Sequence, residues 1–596
     1  MTPDKQVGSS IACAGHLHMS PHHMVLVFLI FCAAGLAGCR PEGENVMLPE
    51  GDPDNGGLLL PEGFEAVVVA DSTGRARHLA VNDNGDIYVK MRAPDPTGLL
   101  ALRDTSGNGK ADLIVPFGDY LDEGNFGTAM RIYNDHLYFS TAGVVYRMRL
   151  SPDQLIPESD AEVILTDDYM NAEHGYEHIA KPVTFDGEGN MYVPFGSPGD
   201  VCQKPKRTPG LPARDPCPEL EVHAGIWKFD AGQPGQMQGD GVRYATGIRS
   251  VTAMSWNPAA GELFAVQHGR DNLHRMWPNL YSRWDNAMLP SEEFVEITEG
   301  SNFGWPYCFY NQIQNRKILN PEYGGDGETV GRCSNYRGPL IGFPGHFAPN
   351  DLHFYQGDQF PDRYRNGAFI AFHGSTIRAP YPQAGYFVAF VPFENGKPSG
   401  EWEVFANGFS GVAPLVNTNG AKHRPTGLAT GPDGSLYVSD SVQGRIWRIM
   451  YKGDREAFGE KQLAGMRNEK QTADNIRTPH EEDDNLEKEA VAGGEQLYRT
   501  YCASCHQRNG EGSPPRYPPL AGTDWVTGDK QRLISVILRG LEEPIVVNGE
   551  HYNFPMPQHS FLSNEDVAGI ATYIRQNFNN EASAVSEADV QRVRNR

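Results

Sequence analysis

The chain has 596 residues, too many for one ordinary domain and enough for one large fold with a smaller one after it. Its 66 glycines, 44 prolines and 39% hydrophobic content suit a loop-rich all-β protein better than a helical one. A formal charge of −24, with no basic patch to offset it, repels phosphate backbones and excludes a nucleic-acid partner.

Residues 1–38 read as an export segment: the apolar run from Met24 to Leu36 is too short for a comfortable membrane span and stops at small residues. Leu36-Ala37-Gly38-Cys39 resembles the bacterial lipobox. That resemblance implies a mature chain starting at a lipidated Cys39 and anchored to a membrane; Arg40 in place of aspartate implies the outer membrane, facing the periplasm. The segment is more His-rich than basic, so a plain signal peptide with a chance cysteine is the alternative. Residues 39–57 read as a tether.

From 58 to 451, turn-and-strand units recur: Asn84-Gly85-Asp86-Ile87-Tyr88-Val89, Asn134-Asp135-His136-Leu137-Tyr138-Phe139, Gly189-Asn190-Met191-Tyr192-Val193, Gly261-Glu262-Leu263-Phe264-Ala265 and Asp433-Gly434-Ser435-Leu436-Tyr437-Val438. Their spacing fits four-stranded blades and predicts a six-bladed β-propeller, with a pair of β-sandwiches as the alternative. Asp104 to Asp112 resembles a calcium loop, but Lys110 replaces an oxygen ligand and a plain turn is favoured. Of nine cysteines, Cys13 and Cys32 fall in the export segment and Cys39 at the lipid site. Four more pair by neighbourhood as Cys202 with Cys217 and Cys308 with Cys333, disulfides suited to an oxidising compartment rather than metal ligands.

Residues 452–487 are rich in Lys, Glu, Asp and Asn and read as a charged flexible linker, with a helical spacer as the alternative. Cys502-Ala503-Ser504-Cys505-His506 is the CxxCH pattern: two thiols add to the haem vinyl groups and the adjacent histidine binds iron. In a chain of this composition chance gives about 0.004 such occurrences. With a short helix before it and a capped helix from Ser563 through Ile574, the region 488–580 resembles a class I cytochrome c, a small all-α domain with covalent haem c. The resemblance places a distal methionine at Met556, in Asn553-Phe554-Pro555-Met556-Pro557, with His559 as the rival, and Pro519 as the carbonyl orienting His506. Residues 581–596 read as a C-terminal tail.

Several stretches of the large domain resemble the soluble PQQ-dependent glucose and sorbosone dehydrogenases and their haem-fused bacterial relatives. They are Tyr176-Glu177-His178, Gly247-Ile248-Arg249, Gln267-His268-Gly269-Arg270, Gly300-Ser301-Asn302-Phe303-Gly304-Trp305-Pro306-Tyr307-Cys308, Phe372-His373-Gly374-Ser375 and Arg424-Pro425-Thr426-Gly427-Leu428. The resemblance implies PQQ and Ca²⁺ as cofactors and oxidation of a sugar or related alcohol or aldehyde, with electrons passed to the in-chain haem and on to a periplasmic or membrane acceptor. His178 would be the general base, since imidazole accepts a proton at neutral pH, with Glu177 orienting it. Arg249 would donate to the quinone oxygen that gains charge. Arg378 and Arg424 would hold cofactor carboxylates, and the carbonyls of Gly269 and Arg270 would hold calcium. Ser250 and Thr252 stand where that family commonly has amide side chains, and His373 near a usual lysine. The His174 and His178 spacing also invites a zinc reading, weakened by the lack of a helical pattern. A propeller lactonase or hydrolase with a central metal, and a non-catalytic redox-docking propeller, are the competing functions.

Overall fold

A computed structural model describes residues 48–595, except 93–96, 121–128, 158–159, 169–176, 380, 416–417 and 481–493. Cys39, the export segment, His174 and Tyr176 therefore lie outside the described residues. The chain is a six-bladed β-propeller followed by a cytochrome c domain: six mainly antiparallel sheets of four or five strands follow one another from Phe64 to Tyr451. The apolar strands expected after each turn are present as Ile87–Met91, His136–Ser140, Asn190–Phe195, Glu262–Gln267 and Leu436–Asp440. The remaining blade has the same pattern: Asn366, at φ +60°, turns the chain into Ala368–Phe372. All five residues of that strand are buried, because a propeller blade is covered on both faces by its neighbours.

The ring is closed by its ends. Phe64–Ala70 pairs antiparallel with Ile446–Tyr451, so the first strand completes the last blade, with Phe64 opposite Tyr451 and Val68 opposite Trp447. Phe64 sits with its ring centroid 4.8 Å from Phe360 and 4.8 Å from Tyr451, and burial of one such side chain contributes about 1.5–3 kcal/mol.

Three segment boundaries change. The end of the expected tether is part of the propeller, since Asp52 and Asn55 accept backbone hydrogen bonds from Val68 and Ala66. The expected linker contains the helix Glu460–Thr472, which buries Leu463 and Met466 against the fifth blade, and Trp284 donates to the Pro479 carbonyl at 2.8 Å. Its charged residues lie on the solvent side while two apolar residues at i and i+3 hold it down, too weak a period to read from sequence. The expected tail forms the helix Glu587–Arg594, whose Val590 and Val593 join the cytochrome core.

In the cytochrome domain Val567, Ile570, Ala571 and Ile574 recur at helical spacing on Asn564–Gln576 and are buried. Ser563 and Asp566 cap that helix reciprocally, with bonds of 3.1 and 3.0 Å. It crosses Gly494–Tyr501 at two glycines: a Cβ on Gly494 would lie 2.1 Å from the Gly569 carbonyl, so the close crossing needs glycine there. The domain is not wholly helical, because Ile545–Val547 and Glu550–Tyr552 form a two-stranded hairpin.

Candidate active site and haem site

At the propeller centre two adjoining cavities of about 360 and 390 Å³ share Arg249, His268, Asp271 and Arg424. His178 lines the first. Its Nδ1 faces the Ser197 carbonyl at 2.7 Å, and since a carbonyl only accepts, Nδ1 carries the proton and Nε2 keeps its lone pair. Burial, then the neighbouring Arg249 guanidinium, lowers the His178 pKa to about 3, so the ring is neutral at physiological pH. Burial likewise brings His268 down to about 4.

Arg249 donates to Asp200 Oδ1 at 2.5 Å and to the Gly269 carbonyl at 2.7 Å, while its Nε is buried without a partner among the described residues. Burial would raise the Asp200 carboxyl, but Arg249, Arg207 and Arg270 outweigh it and hold the group far below the usual range. Arg424 donates to the carbonyls of His373, at 3.0 Å, and Gly374, and its guanidinium borders both cavities. Ser250, Thr252 and His373 line the first cavity, and His373 is bonded to Ser441 at 2.6 Å.

Two expected roles do not survive. Glu177 pairs with Arg207 at 2.7 Å, and the Ser197 carbonyl orients His178 instead. Arg378 lies outside both cavities, fully buried, with its Nη2 3.8 Å from the Met288 sulfur, so it does not share the cavity with Arg424. Burial, with Arg477 adding to it, lowers the Arg378 pKa to about 9.

Gly269 is where a cation was expected. A Cβ there would lie 2.7 Å from the Pro290 carbonyl, which requires glycine, but its own carbonyl already accepts from Arg249. That bond uses one of the two lone pairs of the Gly269 oxygen and leaves the other for a cation. The Arg270 side chain pairs with Glu322 at 2.6 Å, which leaves the role expected of its backbone carbonyl untouched. Hard oxygen donors do stand nearby: Asp271, and Glu292, whose carboxyl burial pushes up to about 7. The Asp104 carboxylate, by contrast, accepts from the amides of Ser106, Gly107 and Gly109 and so caps a plain turn.

Sequence reading missed Arg77 and Arg92, which also border the first cavity. The signal was available: Arg77-His78 interrupts the apolar strand Ala76–Val81, and a charge inside a buried strand needs a reason to be there. Asp200 and Asp271 carried no such mark.

Both disulfides form as paired, each with Cα atoms 5.8 Å apart. Cys502 and Cys505 are outside the disulfides, Cys502 at the N-cap of the short helix Ala503–His506 and Cys505 within it, and burial, then Cys505, pushes the Cys502 thiol up to about 12. His506 Nδ1 bonds the Pro518 carbonyl at 2.8 Å, one residue before the one expected, which leaves Nε2 for iron. The Met556 backbone exchanges bonds of 3.0 and 2.8 Å with Leu541, fixing the loop expected to carry the distal ligand. His559 is buried too; burial and then His506 lower its pKa to about 4, and its Nδ1 has no hydrogen-bond partner among the described residues.

Fold and motif together define a six-bladed propeller followed by a c-type cytochrome domain with a CxxCH haem-attachment site. The TrAA12-like family matches residues 58–452 and the cytochrome c family residues 491–578. The chain belongs to the TrAA12-like family, with a cytochrome c domain joined behind the propeller. A Trichoderma reesei structure of Carbohydrate-Active Enzymes Family AA12 superposes with TM-score 0.53 at 17% identity, over 66% of this chain and 98% of that one. The PQQ domain of Coprinopsis cinerea pyranose dehydrogenase gives 0.51 at 17%, over 66% and 97%. At that identity these comparisons speak for the fold.

An uncharacterized protein of Borreliella burgdorferi is 27% identical over 210 residues, 35% of this chain and 48% of its own length. Cytochrome c-552 of Thermus thermophilus is 39% identical over 89 residues, 14% of this chain and 60% of its own. The chain thus spans about half to three fifths of these relatives. The fructose dehydrogenase cytochrome subunit of Gluconobacter japonicus is 33% identical over 109 residues, 17% of this chain and 22% of its own.

Proposed function

We propose that the propeller is a PQQ-dependent dehydrogenase that oxidises a sugar or related alcohol and passes the electrons to the in-chain haem, and from there to an external acceptor. The observation that carries this reading is the lining of the central cavity. Arg77, Arg92, Arg249 and Arg424 converge beside a neutral imidazole, which fits a tricarboxylate cofactor with a proton acceptor next to it. PQQ supplies an electrophilic quinone carbonyl that takes a hydride from carbon. The arginines would bind and orient the carboxylates, Arg249 would donate to the oxygen that gains charge, and His178 Nε2 would take the substrate hydroxyl proton. Nδ1 stays fixed on Ser197 while this happens. Calcium, if bound, takes its oxygens from the Gly269 side of the cavity, near Asp271 and Glu292.

The test titrates PQQ into cofactor-free protein with calcium present and follows both binding and haem reduction on addition of aldoses and polyols. Tight binding that Arg77→Ala and Arg424→Ala each weaken, together with substrate-driven haem reduction, is the expected result. Absence of PQQ binding would sink the reading, as would haem reduction that needs no PQQ.

Met556 is the distal haem ligand in this reading, supported by the backbone bonds to Leu541 that fix its proline-flanked loop. Met556→Ala is expected to erase the sulfur-to-iron charge-transfer band and lower the reduction potential, while His559→Ala retains both. The reverse pattern assigns the position to His559.

A further inference from the structure

The inner cavity and the cytochrome are separated by one turn. Thr376 and Ile377 line the 390 Å³ cavity beside Arg249 and Arg424, and the same two residues line a second cavity of about 620 Å³. The far wall of that second cavity is cytochrome: Ser504, Cys505, His559, Ser560 and Phe561. Cys505 is the second thiol of the haem motif, so the thioether formed there would hold the porphyrin ring two bonds from a sulfur that borders the propeller.

The turn is held from both sides. Arg424 grips the His373 and Gly374 carbonyls from the inner cavity, and Asn286 Nδ2 donates to the Ile377 carbonyl at 3.1 Å from the helix Arg283–Met288. Gly374 has φ +77°, and a Cβ there would lie 2.4 Å from the Tyr386 ring, so the approach is shaped by a residue that cannot be enlarged. The same helix pins the chain on its way to the cytochrome, through Trp284 to Pro479.

We propose that the Thr376–Ile377 turn is the wall through which electrons leave the propeller, and that the rim around it is the docking surface for the haem edge of the chain's own cytochrome. The proposal rests on the quinone reading only for the source of the electrons. Oxidation of one hydroxyl-bearing carbon releases two electrons, and ferric haem accepts one. Two crossings, with the ferrous haem reoxidised by an external one-electron acceptor between them, balance one turnover.

Docking is tested without PQQ, on haem-loaded full-length protein. Ala379→Cys and Ser560→Cys, on opposite walls of the shared cavity, are treated with a short bis-maleimide and examined by mass spectrometry. The control pairs Ser560→Cys with Glu188→Cys, in a hairpin at the other end of the blade strands. A cross-link in the first pair and its absence in the control is the expected result; equal yields, or none, overturn the docking. In PQQ-loaded protein the wild type should reduce its haem at a rate independent of protein concentration. Ser560→Trp, which wedges the surface apart, should lose that concentration-independent phase and keep dye reduction at the propeller and the haem spectrum. Unchanged haem reduction in Ser560→Trp overturns the crossing. A cross-link with no substrate-driven haem reduction in wild type refutes the quinone reading and leaves the docking in place.

Discussion

Replacing His178 with glutamine is expected to slow substrate-driven haem reduction by about 10²–10⁴-fold, the usual cost of a lost general base. Glutamine keeps a donor within reach of the Ser197 carbonyl, so the local structure is retained while the lone pair on Nε2 is lost. The sign of the pH dependence follows from the depressed pKa. A histidine lowered to about 3 is neutral from mildly acidic pH upward, so the fold-loss should be the same at about pH 5 and about pH 8. An acid limb at the free-imidazole value of about 6.5 that vanishes in His178→Gln would contradict the burial argument. The haem spectrum should not change, and chemically reduced cofactor should still pass electrons to haem. Rates within a few-fold of wild type would remove His178 from the chemistry.

Arg249→Ala is expected to cost about 10²–10³-fold in the same assay, the size of losing one preorganised donor at a developing oxyanion. The same change takes the closest cation from the buried Asp200. Breaking a buried pair outright costs about 3–5 kcal/mol, but Asp200 keeps Arg207 at 2.9 Å, so the loss in stability should be smaller than that. Arg249→Lys keeps the charge and loses the two-pronged geometry that spans Asp200 and Gly269, so it should recover the folding loss more fully than the rate. Thermal unfolding measured beside haem-reduction kinetics separates the two. Equal recovery of both by lysine would mean that Arg249 acts through structure alone.

The amino-acid sequence by itself determined the covalent and periodic features. CxxCH needs only five adjacent residues, so Cys502, Cys505 and His506 were legible without a fold. Strand periodicity and turn residues were equally local, which is why the blades could be read, and the disulfide pairs followed because their cysteines lie only 15 and 25 residues apart. Only the tertiary structure decided what depends on which side chains converge. Arg77, Arg249 and Arg424 come from three different blades and meet because the ring closes, whereas Arg378, four residues beyond Gly374, turns into the body of the protein beside Met288. The orienting partner of His178 was the Ser197 carbonyl, 19 residues away, and a backbone oxygen has no residue type to read. The cavity lined by Thr376 and Ile377 on one side and by Cys505 and Ser560 on the other joins distant parts of the chain, and no local pattern encodes a contact of that separation. Periodicity is a property of neighbours along the chain, while a site is a property of neighbours in space, and closing the propeller converts one into the other.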